Sequence, residues 1–224
     1  VNMLTEAAKK RRGDLPRFAW KNTGDAWWLQ TGDTPYDGPE DMVLGVRCIY
    51  QGIATVPIRP TVYNDLKTIV QTDTHVLIDV EWMHWARIIR LDSKHIAKEI
   101  RSLAGDSIGW WEGDTLVVDT TNFKPYTGFA SATATQHVIE RFSRKDANHL
   151  LYEFKVEDPA TWTASWSGDM IWPATNMPEE RVFEYACHEG NYAMGNMLRG
   201  ARMLEKEWKP KAPGAKPEKQ EKKS

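Results

Sequence analysis

Along the middle of the chain, apolar and polar positions alternate with a period of two, the pattern of strands that keep one face against a core. In HVLIDVEW, Val76, Ile78, Val80 and Trp82 fall on one face, and His75, Leu77, Asp79 and Glu81 on the other. The alternation returns at 114–120, where Leu116 and Val118 oppose Thr115, Val117 and Asp119; Glu112-Gly113-Asp114 stands where a tight hairpin turn belongs. Further strands are expected at 43–50, at IVQT before Asp73-Thr74, and at 85–91, 137–144, 150–157, 166–172 and 181–186. That makes about eight to ten strands, within the range of a closed barrel or a two-sheet sandwich.

Three stretches read instead with helical spacing. Thr5 is a fitting N-cap for a short helix over 5–12 that Gly13 and Pro16 end. Ile96, Ile100 and Leu103 recur at helical intervals over 94–103 before Gly105. Met194, Met197, Leu198, Ala201, Met203 and Leu204 give 191–208 an apolar stripe. The expected fold is therefore all-β with minor α: an antiparallel, calycin-like (lipocalin-like) β-barrel with a C-terminal helix. Its expected parts are an irregular N-terminal segment with a short helix at 1–42, the barrel at 43–190, the helix at 191–208 and a disordered Lys-rich tail at 209–224.

Composition narrows the partners more than the reaction. The chain of 224 residues is 41% hydrophobic, enough for a sizeable core in one domain. Its net charge of −2 is uneven: seven Lys against four Glu over 205–224 leave the rest near −5, since −2 minus +3 is −5. A mildly acidic body argues against a nucleic-acid partner, and no apolar run approaches the roughly 20 residues that span a bilayer. Cys48 and Cys187 are compatible with one disulfide or with two thiols. Val1 in place of Met suggests a segment removed upstream, as after cleavage of a signal peptide.

Four ordered motifs carry a resemblance. IVQT-x2-HV, GDSIGWWEGDTLVVDTTNF, HVIERF followed by LLYEFKVEDP, and FEYACHEGNY together resemble a widespread family of uncharacterised bacterial proteins, over residues 47–202. Members of that family usually carry an export signal, so the resemblance implies a periplasmic or secreted protein; it supplies no catalytic residues. The EGDTLV hairpin is also similar to hairpins of calycin barrels, which include lipocalins and fatty-acid-binding proteins.

No phosphate loop, dinucleotide fingerprint, zinc spacing or nucleophile elbow is present, so candidate chemistry rests on scattered polar groups. Glu81, His84 and Arg87 straddle an expected turn, where the carboxylate could orient the imidazole as a general base and the guanidinium could stabilise an anion; the plain alternative is an ion pair on a solvated turn. His137 and Glu140 lie three apart on one strand and so face opposite ways; His137 is the favoured site residue, and one of the two is expected to face solvent. Neighbours Cys187 and His188 point apart, which disfavours a thiol nucleophile and leaves His188 as a possible acid. His84, His137 and His188 with Glu81 would suit zinc or copper only if the fold converged them, so no metal and no organic cofactor is expected. Trp82 and Trp111 could offer flat platforms, with Asp119, Asn122 and Tyr152 as polar handles. The leading expectation is an exported enzyme doing lyase, isomerase or hydrolase chemistry in an aromatic-lined cavity. The alternatives are a non-catalytic binder of a hydrophobic or aromatic molecule and a His-rich metal-dependent enzyme. The partner is a small molecule, with neither nucleic acid nor membrane, and a homo-oligomer is compatible with this.

Overall fold

The protein is described by a computed structural model over residues 3–14, 36–50, 52, 55–61, 63–125, 132–175 and 181–208. The Lys-rich tail, Trp27-Trp28 and Tyr126 lie outside the described residues. By its contacts the chain separates into two compact units, one comprising Val1–Leu15 and Cys48–Cys187, the other Pro16–Arg47 and His188–Ser224.

The first unit is mostly β. Its strands are β1 (Lys67–Gln71), β2 (His75–Val80), β3 (Trp85–Leu91), β4 (Asp106–Glu112), β5 (Thr115–Thr121), β6 (His137–Asp146), β7 (His149–Glu157) and β8 (Trp166–Pro173). They form a single sheet in chain order, curled into a half-barrel. The ladder does not close, because β1 and β8 are its two edges. Pairing is antiparallel except between β3 and β4, where Ile89, Arg90 and Leu91 lie beside Ser107, Ile108 and Gly109 in parallel. Parallel neighbours need a crossover of about a dozen residues or more, and residues 92–105 supply it.

The strands follow from the period-two pattern almost residue for residue. Val76, Ile78 and Val80 of β2, Leu116 and Val118 of β5, Val138 and Phe142 of β6, and Tyr152, Phe154 and Val156 of β7 are all buried on the inner face of the curl. Ahead of the sheet, α1 (Glu6–Asp14) starts as its cap residue requires, with the Ala8 N–H donating to the Thr5 hydroxyl at 3.1 Å. Leu4 bridges to Trp162, which fastens this end to the loop after β7.

Three expected elements are absent, each because local backbone groups have other partners. Residues 43–50 turn instead of extending: the amides of Val46 and Arg47 both donate to the Val43 carbonyl, and Cys48 sits at φ 56°. Residues 94–103 are a loop, because the Ile96 N–H donates to the Asp106 carboxylate and the Ile96 and Ala97 carbonyls accept from the Asn122 amide. Residues 181–186 form no strand; the Tyr185 N–H donates to the His84 imidazole in place of a ladder partner. Cys48 and Cys187 are joined in a disulfide with their Cα atoms 5.7 Å apart.

In the second unit, α2 (Tyr192–Glu207) follows Asn191, whose side chain donates to the Val46 carbonyl at 2.9 Å. The Arg202 guanidinium of α2 donates to the carbonyls of Tyr36 and Asp37 at 3.0 and 3.2 Å, tying the helix to the segment before Arg47.

Candidate functional site

Inside the curl, strand parity gathers a closed polar network. Trp85, Arg87 and Ile89 share the inner face of β3, and Arg87 reaches across the interior to Glu140 of β6. Its Nη1 donates to Oε1 at 3.0 Å, and its Nη2 pairs with Oε2. The guanidinium also donates to the hydroxyls of Ser107 at 3.0 Å and Thr120 at 2.8 Å. The Tyr152 hydroxyl donates to Glu140 at 2.7 Å and accepts the Ile58 N–H at 2.8 Å. Arg87 and Glu140 are 4% and 0% exposed, so water reaches neither charge. Burial opposes the Arg87 cation, but the Glu140 carboxylate more than offsets it and holds its pKa above the ordinary value. Burial, with Glu140 beside it, pushes the Tyr152 phenol well above its usual range. The two charges are matched and each polar side chain of the group has a partner, which makes this a structural element of the interior.

Glu140 thus takes the opposite face to His137, as a spacing of three along one strand leads one to expect. It is the inward residue of its pair, flanked two positions away on each side by the inward residues Val138 and Phe142, and His137 lies on the outer face with Ile139 and Arg141. Arg87, expected beside Glu81 and His84, turns inward and away from both. Glu81 is buried and accepts from the Asn64 amide at 3.1 Å, whereas the His84 ring accepts from the Tyr185 backbone at 2.6 Å. No hydrogen bond joins the two side chains, so the expected dyad does not assemble. Its turn is tight, with Met83 and His84 at φ 62° and 47°, which directs the two side chains to separate partners. Trp82 stacks on Tyr63 at 4.6 Å and faces Tyr185 at 6.4 Å.

On the outer face Asp119 lies between two imidazoles. His137 Nε2 is 2.9 Å and His95 Nε2 3.3 Å from the same Asp119 oxygen. The far nitrogens also face carboxylates: His95 Nδ1 lies 2.9 Å from Asp106, and His137 Nδ1 lies 3.8 Å from Glu157. Arg90 donates to both Asp106 oxygens at 3.0 Å. The hydrogen bond to Asp119, against partial burial, raises the His137 pKa. Burial would raise that of Asp119, but the two imidazoles bring it below the ordinary carboxylate value. Of the sequence candidates, His137, Asp119 and Asn122 thus come together here, Asn122 holding the loop that carries His95. His95 was missed because 94–103 read as a helix.

At the end of the half-barrel where the β1–β2, β4–β5 and β6–β7 turns gather, two cavities adjoin. One of about 830 Å³ is lined by Ile69, Val76, Ile78, Trp111, Leu116 and Phe142 among others. The other, of about 660 Å³, lies between the edges β1 and β8 against Ile58, Leu66, Met170 and Trp172. Both are lined by Ile69, Arg144, Ala147 and Leu150, so they form one mouth. Trp111 is 42% exposed there, an aromatic wall open to solvent. Tyr152 lies below it within the buried network and stacks on Trp172 at 4.6 Å.

His188 is exposed in the turn before α2. Among the described residues no group of three or more His, Cys, Asp or Glu is placed to hold a metal ion. Comparison of the chain with family models, with curated proteins and with solved structures finds no match, so the functional reading rests on the chemistry of these sites.

Proposed function

We propose that the half-barrel is a small-molecule binder whose mouth takes an uncharged, largely apolar ligand with at least one aromatic ring. One observation carries this reading: the adjoining cavities are walled by aliphatic and aromatic side chains, with Trp111 and Phe142 in one and Trp172 in the other. Each falls in the range of about 300–1,000 Å³ typical of small-molecule sites. The charge around the mouth supports a neutral occupant. Arg59, Lys67 and Arg144 are balanced by Asp65, Asp114 and Asp146, three against three. Lys67 is paired with Asp65, and His149 with Asp146.

Acid–base catalysis, the leading sequence expectation, has less geometric support. Glu81 and His84 face different partners, and both nitrogens of His95 and of His137 are turned to carboxylates, which leaves none idle for a substrate. The disulfide supports work in an oxidising compartment such as the periplasm or the extracellular space.

The test uses an uncharged naphthalene-type fluorophore and its sulfonated analogue. The neutral probe binds at one site, the sulfonate more weakly, and Trp111→Ala weakens the neutral probe by about tenfold, equivalent to about 1.4 kcal/mol. Equal binding of the two probes, or an unchanged affinity in Trp111→Ala, would count against the proposal.

A further inference from the structure

The mouth is bordered by backbone donors and acceptors that a purely apolar ligand would leave without partners. In an antiparallel ladder, opposed residues alternate between pairs that exchange both backbone hydrogen bonds and pairs that exchange none. The Thr72 N–H donates to the His75 carbonyl at 2.8 Å and the Glu81 N–H to the Leu66 carbonyl at 3.0 Å, which fixes the phase between β1 and β2. Thr68 and Val70 therefore spend their backbone groups on β2. The N–H and C=O groups of Lys67, Ile69 and Gln71 point the other way, to the open edge. Among the described residues none donates to or accepts from the Ile69 backbone on that side.

Exposed edges are usually blunted by a charge, a proline or a bulge. The far edge, β8, has Asp169 and Pro173; the one charge of β1, Lys67, is paired with Asp65, and Ile69 at its centre is 41% exposed. Strand parity also decides where the side chain of an added residue would go. Ile69 stands opposite the buried Ile78, on the inner face, and lines both cavities. A residue paired with Ile69 shares that face, so its side chain enters the space bounded by Leu150, Met170 and Trp172, while its two neighbours point outward.

We propose that the ligand of the mouth is a short, uncharged, extended peptide that adds a strand to β1 and places an aromatic residue opposite Ile69. The proposal rests on the reading of the mouth as an apolar ligand site and names the class of ligand it takes. Main-chain hydrogen bonds to Ile69 fix the register, and the aromatic side chain fills the cavity between the two edges. The balanced charges of the rim complement a peptide without ionised side chains or free termini.

The test titrates acetyl-Val-Phe-Val-amide into the protein loaded with the neutral naphthalene probe, beside the same peptide methylated on the Phe nitrogen. The methyl removes the N–H that would donate to the Ile69 carbonyl and leaves every side chain as it was. The parent peptide should displace the probe, and the methylated one should bind at least about tenfold more weakly. Amide hydrogen exchange at Ile69 should slow about tenfold when the parent peptide fills about nine-tenths of the sites, and should keep its rate with the naphthalene probe, which has no backbone to pair. Equal displacement by the two peptides, or displacement that leaves Ile69 unprotected, overturns the proposal. A bound probe that the peptide leaves in place overturns the peptide alone, whereas failure of the probe itself to bind overturns the apolar mouth and the peptide with it.

Discussion

Glu140 carries a full negative charge at 0% exposure, and its partners alone make that tolerable. Glu140→Gln keeps the shape but strands the Arg87 cation, which breaks a buried pair from one side. Urea denaturation should show a loss of about 3 kcal/mol or more. Replacing both partners together, as Arg87→Met with Glu140→Leu, should cost less than the single change, since no charge is then left unmatched. A single variant within about 0.5 kcal/mol of the parent would mean that water reaches the pair after all. The position of Glu140 was legible, because a carboxylate flanked two residues away by Val138 and Phe142 must share their face. Its partner was not. Arg87 lies 53 positions away in sequence, and only the curl of the sheet brings the two strands across from one another.

At the scale of elements, the strands were legible and their connections were not. The spans expected for β2, β3 and β5 to β8 agree with the strands within a residue or two, because most of them cover one face more than the other and the alternation records that directly. The crossover misled: Ile96, Ile100 and Leu103 keep helical spacing, yet the side chains of Asp106 and Asn122 take up backbone groups that a helix would have used. No local pattern announces such long-range partners. Gly105, which ends the crossover, shows how closely it meets the sheet. It has φ +76°, and a Cβ there would lie 2.5 Å from the Thr121 carbonyl oxygen. Gly105→Ala should therefore cost about 2–3 kcal/mol, from strain and clash together. Gly113→Ala in the β4–β5 turn, at φ +60° with open space around it, should cost only about 1 kcal/mol. Thermal unfolding of the pair checks this; equal losses would place the crossover farther from β5 than described.

For the molecule as a whole, the disulfide between Cys48 and Cys187 closes a long loop around the half-barrel, with a sequence separation of 139. Constraining so long a loop in the unfolded chain stabilises by about 2–5 kcal/mol. Cys48→Ser with Cys187→Ser should lower the unfolding midpoint accordingly, and reductant should then have no further effect. The pairing was open in the sequence, since residue spacing carries no Cα separation. The mouth was equally hidden: its walls come from β1, β2 and β4 to β8 and from the turns between them, and which rings line it depends on how far the sheet curls.

The central claim is that the mouth is a ligand site for an uncharged apolar molecule. Its most direct test is mapping amide and side-chain NMR shifts while the neutral naphthalene probe is titrated into the protein. Saturable shifts should be confined to Ile69, Trp111, Phe142, Leu150 and their neighbours on β1 and β8 around Trp172, the residues that line the two cavities. Shifts centred on Asp119, His95 and His137, or no saturable shift at all, would contradict it.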